Sequence, residues 1–480
     1  MKRDLLKSNF TAVAAVKSAF NKLFLLTSLS LLFLLGSCEV LDQEPQSEVR
    51  TDLAISNQQS AKAALAGMYN QLQDANYYGR NLLIMGDVTS DIAQSIGSWD
   101  FYREMDTYLV SLDNRENGAF YTRAYRAVSV ANSLIATVPS LSDMTDASKD
   151  AMLGQAYFVR GLAYFDLAKV YGGIPGVYGT LGVPLVLTPT TKVDESIFVA
   201  RAGLQETYDQ AEKDLLKALE LLPAATNRSQ ASKGTARALL SRLYLYENKP
   251  AQVLTYADLV ISDPSYILAP SFAAIFESKL STEAILELNF NSVDQSNIRN
   301  WYFPASGGGR GDIAAHTEFY EAAIADPKDT RGKLFAYSAS SKTYYPTRYM
   351  KAGNIDNVLV IRIAEIYLNR AEARAKTNDL DGARADLNKV RKRAGVDEIN
   401  PVGEEAVLKA IWMERKLELA FEGHSFFDQV RTGLSFTELA SVKRTNGPAV
   451  SLVNPGRQVF PIPSFEMSSN NKLSQNEAYK

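Results

Sequence analysis

Arg362-Ile-Ala-Glu-Ile-Tyr-Leu-Asn-Arg-Ala-Glu-Ala-Arg-Ala-Lys376 runs into Thr377-Asn378-Asp379 and then into a second patterned stretch ending at Ala394. Apolar residues recur in both stretches at the three-to-four-residue spacing of a helix that buries one stripe. The spacing predicts helices over 360–376 and 379–394, with Asn378 suited to a left-handed turn and Asp379 placed to cap the second helix. Such a pair is close in length to a tetratricopeptide unit of about 34 residues. The stretch 235–261 repeats the design: Glu247-Asn248-Lys249-Pro250 interrupts it, and a proline opening the second helix loses no needed hydrogen bond.

Working outward, the same period covers 59–73, 120–138, 148–171, 204–222 and 404–421, so the chain reads as mainly α. The pairs diverge too far from one another to establish a repeat by themselves. Three stretches differ in character. Residues 79–118 are rich in Asp, Ser, Gly and aromatics, and 172–189 carry a Gly-Gly-Ile-Pro turn and a short strand candidate. The largest irregular region, 262–357, holds a strand candidate at 284–290, the loop Gly307-Gly308-Gly309-Arg310-Gly311 and the cluster Tyr344-Tyr345-Pro346. Long loops on a rigid scaffold are where binding residues concentrate.

The N-terminus carries a different signal. Lys2, Arg3, Lys7, Lys17 and Lys22 precede an apolar run over 23–35, which ends in Leu35-Gly36-Ser37-Cys38, and Cys38 is the only cysteine among 480 residues. A basic leader, an apolar core and small residues before a thiol describe a bacterial lipoprotein signal over 1–37, with Cys38 as the lipid attachment point. Two or three acyl chains, at about 0.8 kcal/mol per buried CH₂, hold a protein on a membrane stably. The apolar run is too short to span a bilayer, which needs about 20 residues. Residues 38–50, with Glu39, Asp42 and Glu44, read as an acidic tether, and 51–480 as the folded domain. Without the leader the chain has 46 Lys and Arg against 53 Asp and Glu, about −7, which argues against nucleic acid or anionic lipid as partner.

Several segments together resemble one family. These are the lipoprotein cysteine, Gln155-Ala-Tyr-Phe-Val-Arg-Gly-Leu-Ala-Tyr-Phe-Asp-Leu-Ala-Lys-Val-Tyr-Gly-Gly173, the Arg362–Lys376 stretch, Glu414-Arg-Lys-Leu-Glu-Leu-Ala-Phe-Glu-Gly-His-Ser-Phe-Phe-Asp-Gln-Val-Arg431, and Phe460-Pro-Ile-Pro463 followed by Asn476. In this order they look like the SusD/RagB family of outer-membrane lipoproteins. The resemblance implies a SusD-like α/α superhelix: a scaffold of tetratricopeptide-like helical pairs with a loop-rich, variable face that binds nutrient. It also implies a partner, a SusC-like TonB-dependent transporter, to which oligosaccharide or polysaccharide, or peptide in some branches, is handed. Gly161 and Ser425 depart from residues common at those places, and neither falls on the expected ligand face.

Glycan recognition asks for flat apolar surfaces against sugar rings and fixed polar groups for hydroxyls. Trp99, in Gly97-Ser-Trp-Asp-Phe-Tyr102, and Trp301, in Asn297-Ile-Arg-Asn-Trp-Tyr-Phe303, are the leading candidates for ligand contact, with Tyr102 and Tyr302 beside them; the competing reading of each tryptophan is a loop anchor in the core. Trp412 lies in a helical stripe with Leu408 and Leu419 and reads as core. Asp87 and Asp91 suit sugar hydroxyls, against the commoner use of Asp in caps and turns. Arg310 in its glycine-rich loop suits forked donation to a ligand; the loop lacks the Lys-Ser/Thr ending of a phosphate loop. Tyr344, Tyr345 and Arg348 read as packing.

Catalysis has little to stand on. His316 and His424 are the only histidines, neither has a metal-ligand neighbour at helical or turn spacing, and His424 reads as a structural hydrogen-bonding residue. No cofactor is called for, and a calcium ion beside the acidic loops lacks a ligand loop of recognisable spacing. The expectation is a noncatalytic surface glycan binder; the alternatives are a peptide-binding relative, a helical-repeat scaffold and a two-carboxylate glycoside hydrolase.

Overall fold

Helix pairs form the scaffold, and their ends are set where the sequence places its turns. The computed structural model describes residues 55–190, 195–224, 227–445 and 448–480, so the leader, Cys38 and the acidic tether lie outside the described residues. In chain order the helices are α1 Gln58–Gln73, α2 Asn81–Val88, α3 Asp100–Asp106, α4 Arg115–Thr137, α5 Asp146–Leu167, α6 Leu204–Leu221, α7 Lys233–Tyr246 and α8 Pro250–Ile261. There follow α9 Ala274–Glu277, α10 Ile298–Tyr302, α11 Thr317–Ile324, α12 Ile363–Lys376, α13 Leu380–Ala394, α14 Glu404–Glu418, α15 Ser425–Arg431, α16 Ser435–Glu438 and α17 Ser464–Ser469. Asn248 and Asn378 take positive φ, 54° and 65°, in the turns that fold α7 back on α8 and α12 back on α13. Asp379 caps α13 by accepting from the Gly382 N–H at 2.9 Å, and Pro250 opens α8. α5 packs between α4 and α6, and α8 lies against α12, which joins the two hairpins.

Strands are short and come in antiparallel pairs: β1 Ala93–Ser95 with β5 Ile313–Ala315, β2 Leu181–Pro184 with β3 Arg201–Gly203, β4 Ala284–Leu288 with β8 Val358–Arg362, and β6 Phe335–Ser338 with β7 Thr343–Pro346. The expected helix over 360–376 is therefore a strand that becomes a helix. Val358-Leu-Val-Ile-Arg362 is β-branched and buried on both sides, pairing Val358 with Leu288 and Arg362 with Ala284, and the helix begins only at Ile363. Likewise 404–421 ends at Glu418, because Phe421 and Gly423 turn the chain with φ of 61° and 78°. Residues 262–357 are more ordered than their composition suggests, holding β4 to β7 and three short helices.

A web of buried ion pairs joins the segments that mark the family. Arg362 donates to Glu283 at 2.8 Å, Glu418 at 2.5 Å and Glu422 at 2.9 Å; Arg393 reaches both Glu283 and Glu418. Arg331 joins Asp329 to Glu414, Arg431 grips Glu372 with two bonds of 2.8 and 2.9 Å, and Arg242 grips Glu365. These charges are buried, so each is tolerable only while its partner stays. Burial alone would raise the Glu418 carboxyl, but Arg393, Arg362 and Arg331 outweigh it and hold it at about 2. The C-terminal motif has its own dock: Phe460 N–H donates to Val170 O at 2.8 Å, and the Asn476 amide donates to Tyr171 O and Phe460 O at 2.9 and 2.7 Å. Gly161 is explained by a close crossing, since a Cβ there would lie 3.1 Å from Ala211 O on α6.

Candidate ligand-binding site

Trp99 and Trp301 are two hundred residues apart in sequence, and the β1–β5 ladder brings them together. Gln94 pairs with Ala314 and Ser95 with Ile313, and beyond the ladder the Ile96 and Gly97 N–H groups donate to Asp312 O at 2.8 and 3.2 Å. Gly97 is required there, because a Cβ would sit 2.0 Å from the Asp312 carboxylate. The loop carrying Trp99 is thus stitched to the glycine loop carrying Arg310, which turns at Gly308 with φ 85°.

The indoles meet edge to face at 5.7 Å; Phe101 closes on Trp99 at 5.5 Å and Tyr102 on Trp301 at 5.0 Å. Guanidinium groups surround the pair. Arg310 lies 5.2 Å from the Trp99 ring and 4.7 Å from Trp301, Arg80 lies 5.0 Å from Trp301, and Arg115 5.7 Å from Trp99. Arg310 is held by Asp312, with Nε donating at 2.9 Å. The Trp99 indole N–H donates to Glu116 at 3.2 Å, and the same buried carboxylate pairs with Arg80.

Exposure separates the sequence candidates. Trp99 is partly exposed and Arg310 exposed, whereas Trp301 is 4% exposed and belongs to the core. Tyr102 is wholly buried and its hydroxyl donates to Asn81 at 3.0 Å. Tyr302 and Asp87 are buried together: the hydroxyl donates to Asp87 at 3.0 Å, and Asp87 also accepts from the Gly423 N–H at 3.2 Å. Burial pushes the Asp87 carboxyl well above its usual range. Tyr102, against Trp301, thus lies under the patch, while Tyr302 and Asp87 are sealed in the core beside Phe421 and Gly423. Asp91 stands apart, pairing with Lys416 and accepting from the Gln429 amide at 2.9 Å.

The remaining candidates are accounted for by packing. Tyr344 stacks on Tyr320 at 3.5 Å, Tyr345 sets its edge against Phe303, and Arg348 is buried among Phe272, Phe276 and Phe421 beside Glu422. Trp412 packs against the core while lining a separate cleft of about 420 Å³ with Met413. His316 is buried against Arg444; burial first, then the charges of Arg444 and Lys416, lower its pKa to about 3. His424 is also kept neutral by burial and nearby cations, and its carbonyl accepts from the Asp428 N–H at 2.9 Å at the start of α15. One carboxylate trio converges among the described residues, Asp209, Glu212 and Glu247, and Lys249 already sits against it, 2.9 Å from Glu247.

Sequence reasoning missed Arg80, Glu116 and Arg115, whose roles arise only from the approach of α2 and α4 to the tryptophan loops. It also missed the groove beside them, about 530 Å³, lined by Arg115, Arg126 and Phe465 among others.

This arrangement accompanies extensive likeness to known proteins. Residues 39–245 match a SusD-like family model described as starch-binding and associating with the outer membrane, and residues 318–479 match the SusD family model. The chain belongs to the SusD/RagB family. A SusD-like protein, P2, from Formosa agariphila is 25% identical across 95% of this chain and 99% of its own length. Among solved structures, a sugar-binding protein of Bacteroides vulgatus, so described as putative, superposes with a TM-score of 0.78 at 26% identity, covering 89% of this chain and all of that one. A laminarin-binding SusD-like protein superposes with a TM-score of 0.74 at 23% identity over 88% of this chain and all of its own. The helical, tetratricopeptide-like architecture is that of the SusD superfamily. Among the described residues no helix is long and apolar enough to cross a membrane.

Proposed function

We propose that the protein captures oligosaccharide or polysaccharide at the outer cell surface, without cleaving it, and delivers it to a SusC-like TonB-dependent transporter. The observation that carries this reading is Trp99: a partly exposed indole fixed from below by Trp301 and at its N–H by Glu116, with Arg310 and Arg115 beside it. A rigid aromatic face with forked donors at its rim suits a sugar ring and its hydroxyls, and little entropy is lost on binding because the side chains are already held. The family membership and the laminarin binding of a structural relative support the ligand class. Glu116 and Asp312, which anchor the patch, are buried and paired with Arg80 and Arg310, which suits them to holding the patch rather than to attacking a glycosidic bond.

Lipid on Cys38 would anchor the mature chain, 38–50 would serve as its tether, and 51–480 as the binding domain. The test is affinity electrophoresis of the mature protein through gels loaded with a panel of polysaccharides, paired with assay of released reducing ends. Retardation by at least one glycan without release of sugar is expected. Retention of peptides alone, or steady release of reducing sugar, would contradict the reading.

A further inference from the structure

The groove beside Trp99 has a charge and a platform that the patch itself does not explain. Its wall is α4, where Arg115, Arg123 and Arg126 share one face. Arg123 is neutralised by Asp74 at 3.0 Å, but Arg115 and Arg126 are exposed and have no carboxylate partner among the described residues. The opposite wall is Phe465 at the start of α17, 45% exposed, positioned by the Ser464 N–H donating to Leu112 O at 3.0 Å. Gly118 makes this possible, because a Cβ there would stand 2.9 Å from the Phe465 ring. The only acid among the described residues lining the groove, Asp113, accepts from the Ser464 hydroxyl. A chain with net charge −3 thus leaves two unpaired guanidinium groups around an exposed aromatic ring, in a space large enough for a sugar unit or two. Arg115 belongs to both places, lining the groove and lying over Trp99.

We infer that this groove is a subsite for an anionic sugar, a uronate or a sulfate ester, continuous with the Trp99 patch. The inference rests on the glycan-binding reading and narrows its ligand class. Guanidinium forks recognise carboxylate and sulfate in the same planar, two-point manner, and Phe465 supplies the surface against the ring's C–H face.

Gel retardation of the mature protein by polygalacturonate, by a sulfated galactan and by the neutral glucan laminarin tests it, using wild type, Arg115→Gln, Arg126→Gln and the double variant. Arg126 is exposed and unpaired, so its replacement leaves the fold intact. Stronger retention by an anionic polymer than by the neutral one is expected, falling about tenfold in the double variant and weakening as salt is added; which polymer is held distinguishes uronate from sulfate. Neutral glucan held through Trp99 with no anionic preference, or anionic retention unchanged in the double variant, would overturn the groove alone. Failure to retain any glycan of a wider panel would instead overturn the glycan-binding reading.

Discussion

Trp99 rests edge to face on Trp301, ring centroids 5.7 Å apart, so that one indole of the pair is offered to solvent and the other is sealed in the core. The two tryptophans therefore do different work. Trp99→Ala should lower glycan affinity at least tenfold, about 1.4 kcal/mol, while shifting thermal stability little. Trp301→Ala should cost about 3–5 kcal/mol of folding stability by opening a cavity beneath the patch. Calorimetric titration and thermal melts on each single variant check this; equal effects of the two on stability would show that Trp99 is only an anchor.

Arg362 is the centre of the buried ionic web, bound to Glu283, Glu418 and Glu422. Arg362→Met leaves three carboxylates short of their cation in a dry interior, and a loss of about 3–5 kcal/mol is expected. Chemical denaturation is the measurement. A loss below about 1 kcal/mol would mean that Arg331, Arg393 and Arg348 suffice to hold the acids.

The same web sets the acid limit of the fold. Glu418 is held at about 2 against an ordinary 4.5, so its ionised form is favoured by folding; that stability is complete above pH 4.5 and is lost as pH falls toward 2. Glu372 acts in the same sense, with Arg431 and Lys376 overcoming burial. His316, neutral in the fold down to about pH 3, adds a loss beginning below 6.5. Asp106 opposes them: burial raises it to about 7, so acid relieves its cost. The melting temperature should therefore fall steeply between pH 4.5 and 2, and Glu418→Gln should flatten that slope while lowering stability at neutral pH. A wild-type profile flat to pH 2 would contradict the assignment.

Cys38→Ala should release the protein from the outer-membrane fraction, read by fractionation and by loss of labelled palmitate. Continued membrane association of the unacylated variant would require a different anchor.

The helical scaffold was legible because its turns are written in local chemistry: Asn248, Asn378, Asp379 and Pro250 each act within a few residues of where they stand. Residues 360–362 were misread as the start of a helix since an unbroken apolar run satisfies either period, and only the partner Ala284–Leu288 makes Val358–Arg362 a strand. The site was legible in part. Aromatics in polar loops pointed to Trp99 and Trp301, and a glycine loop pointed to Arg310. Nothing local distinguishes a tryptophan facing solvent from one facing the core, and Asp87 and Tyr302 looked available because their partnership spans 215 residues. Arg80 and Glu116 escaped notice for the same reason.

The most direct measurement is a calorimetric titration of the mature protein with an oligosaccharide cut from whichever polysaccharide retards it, run beside Trp99→Ala. Saturable binding by wild type, weakened at least tenfold in the variant with its melting temperature preserved, is the expected result. Undiminished binding by a folded Trp99→Ala protein would contradict the account.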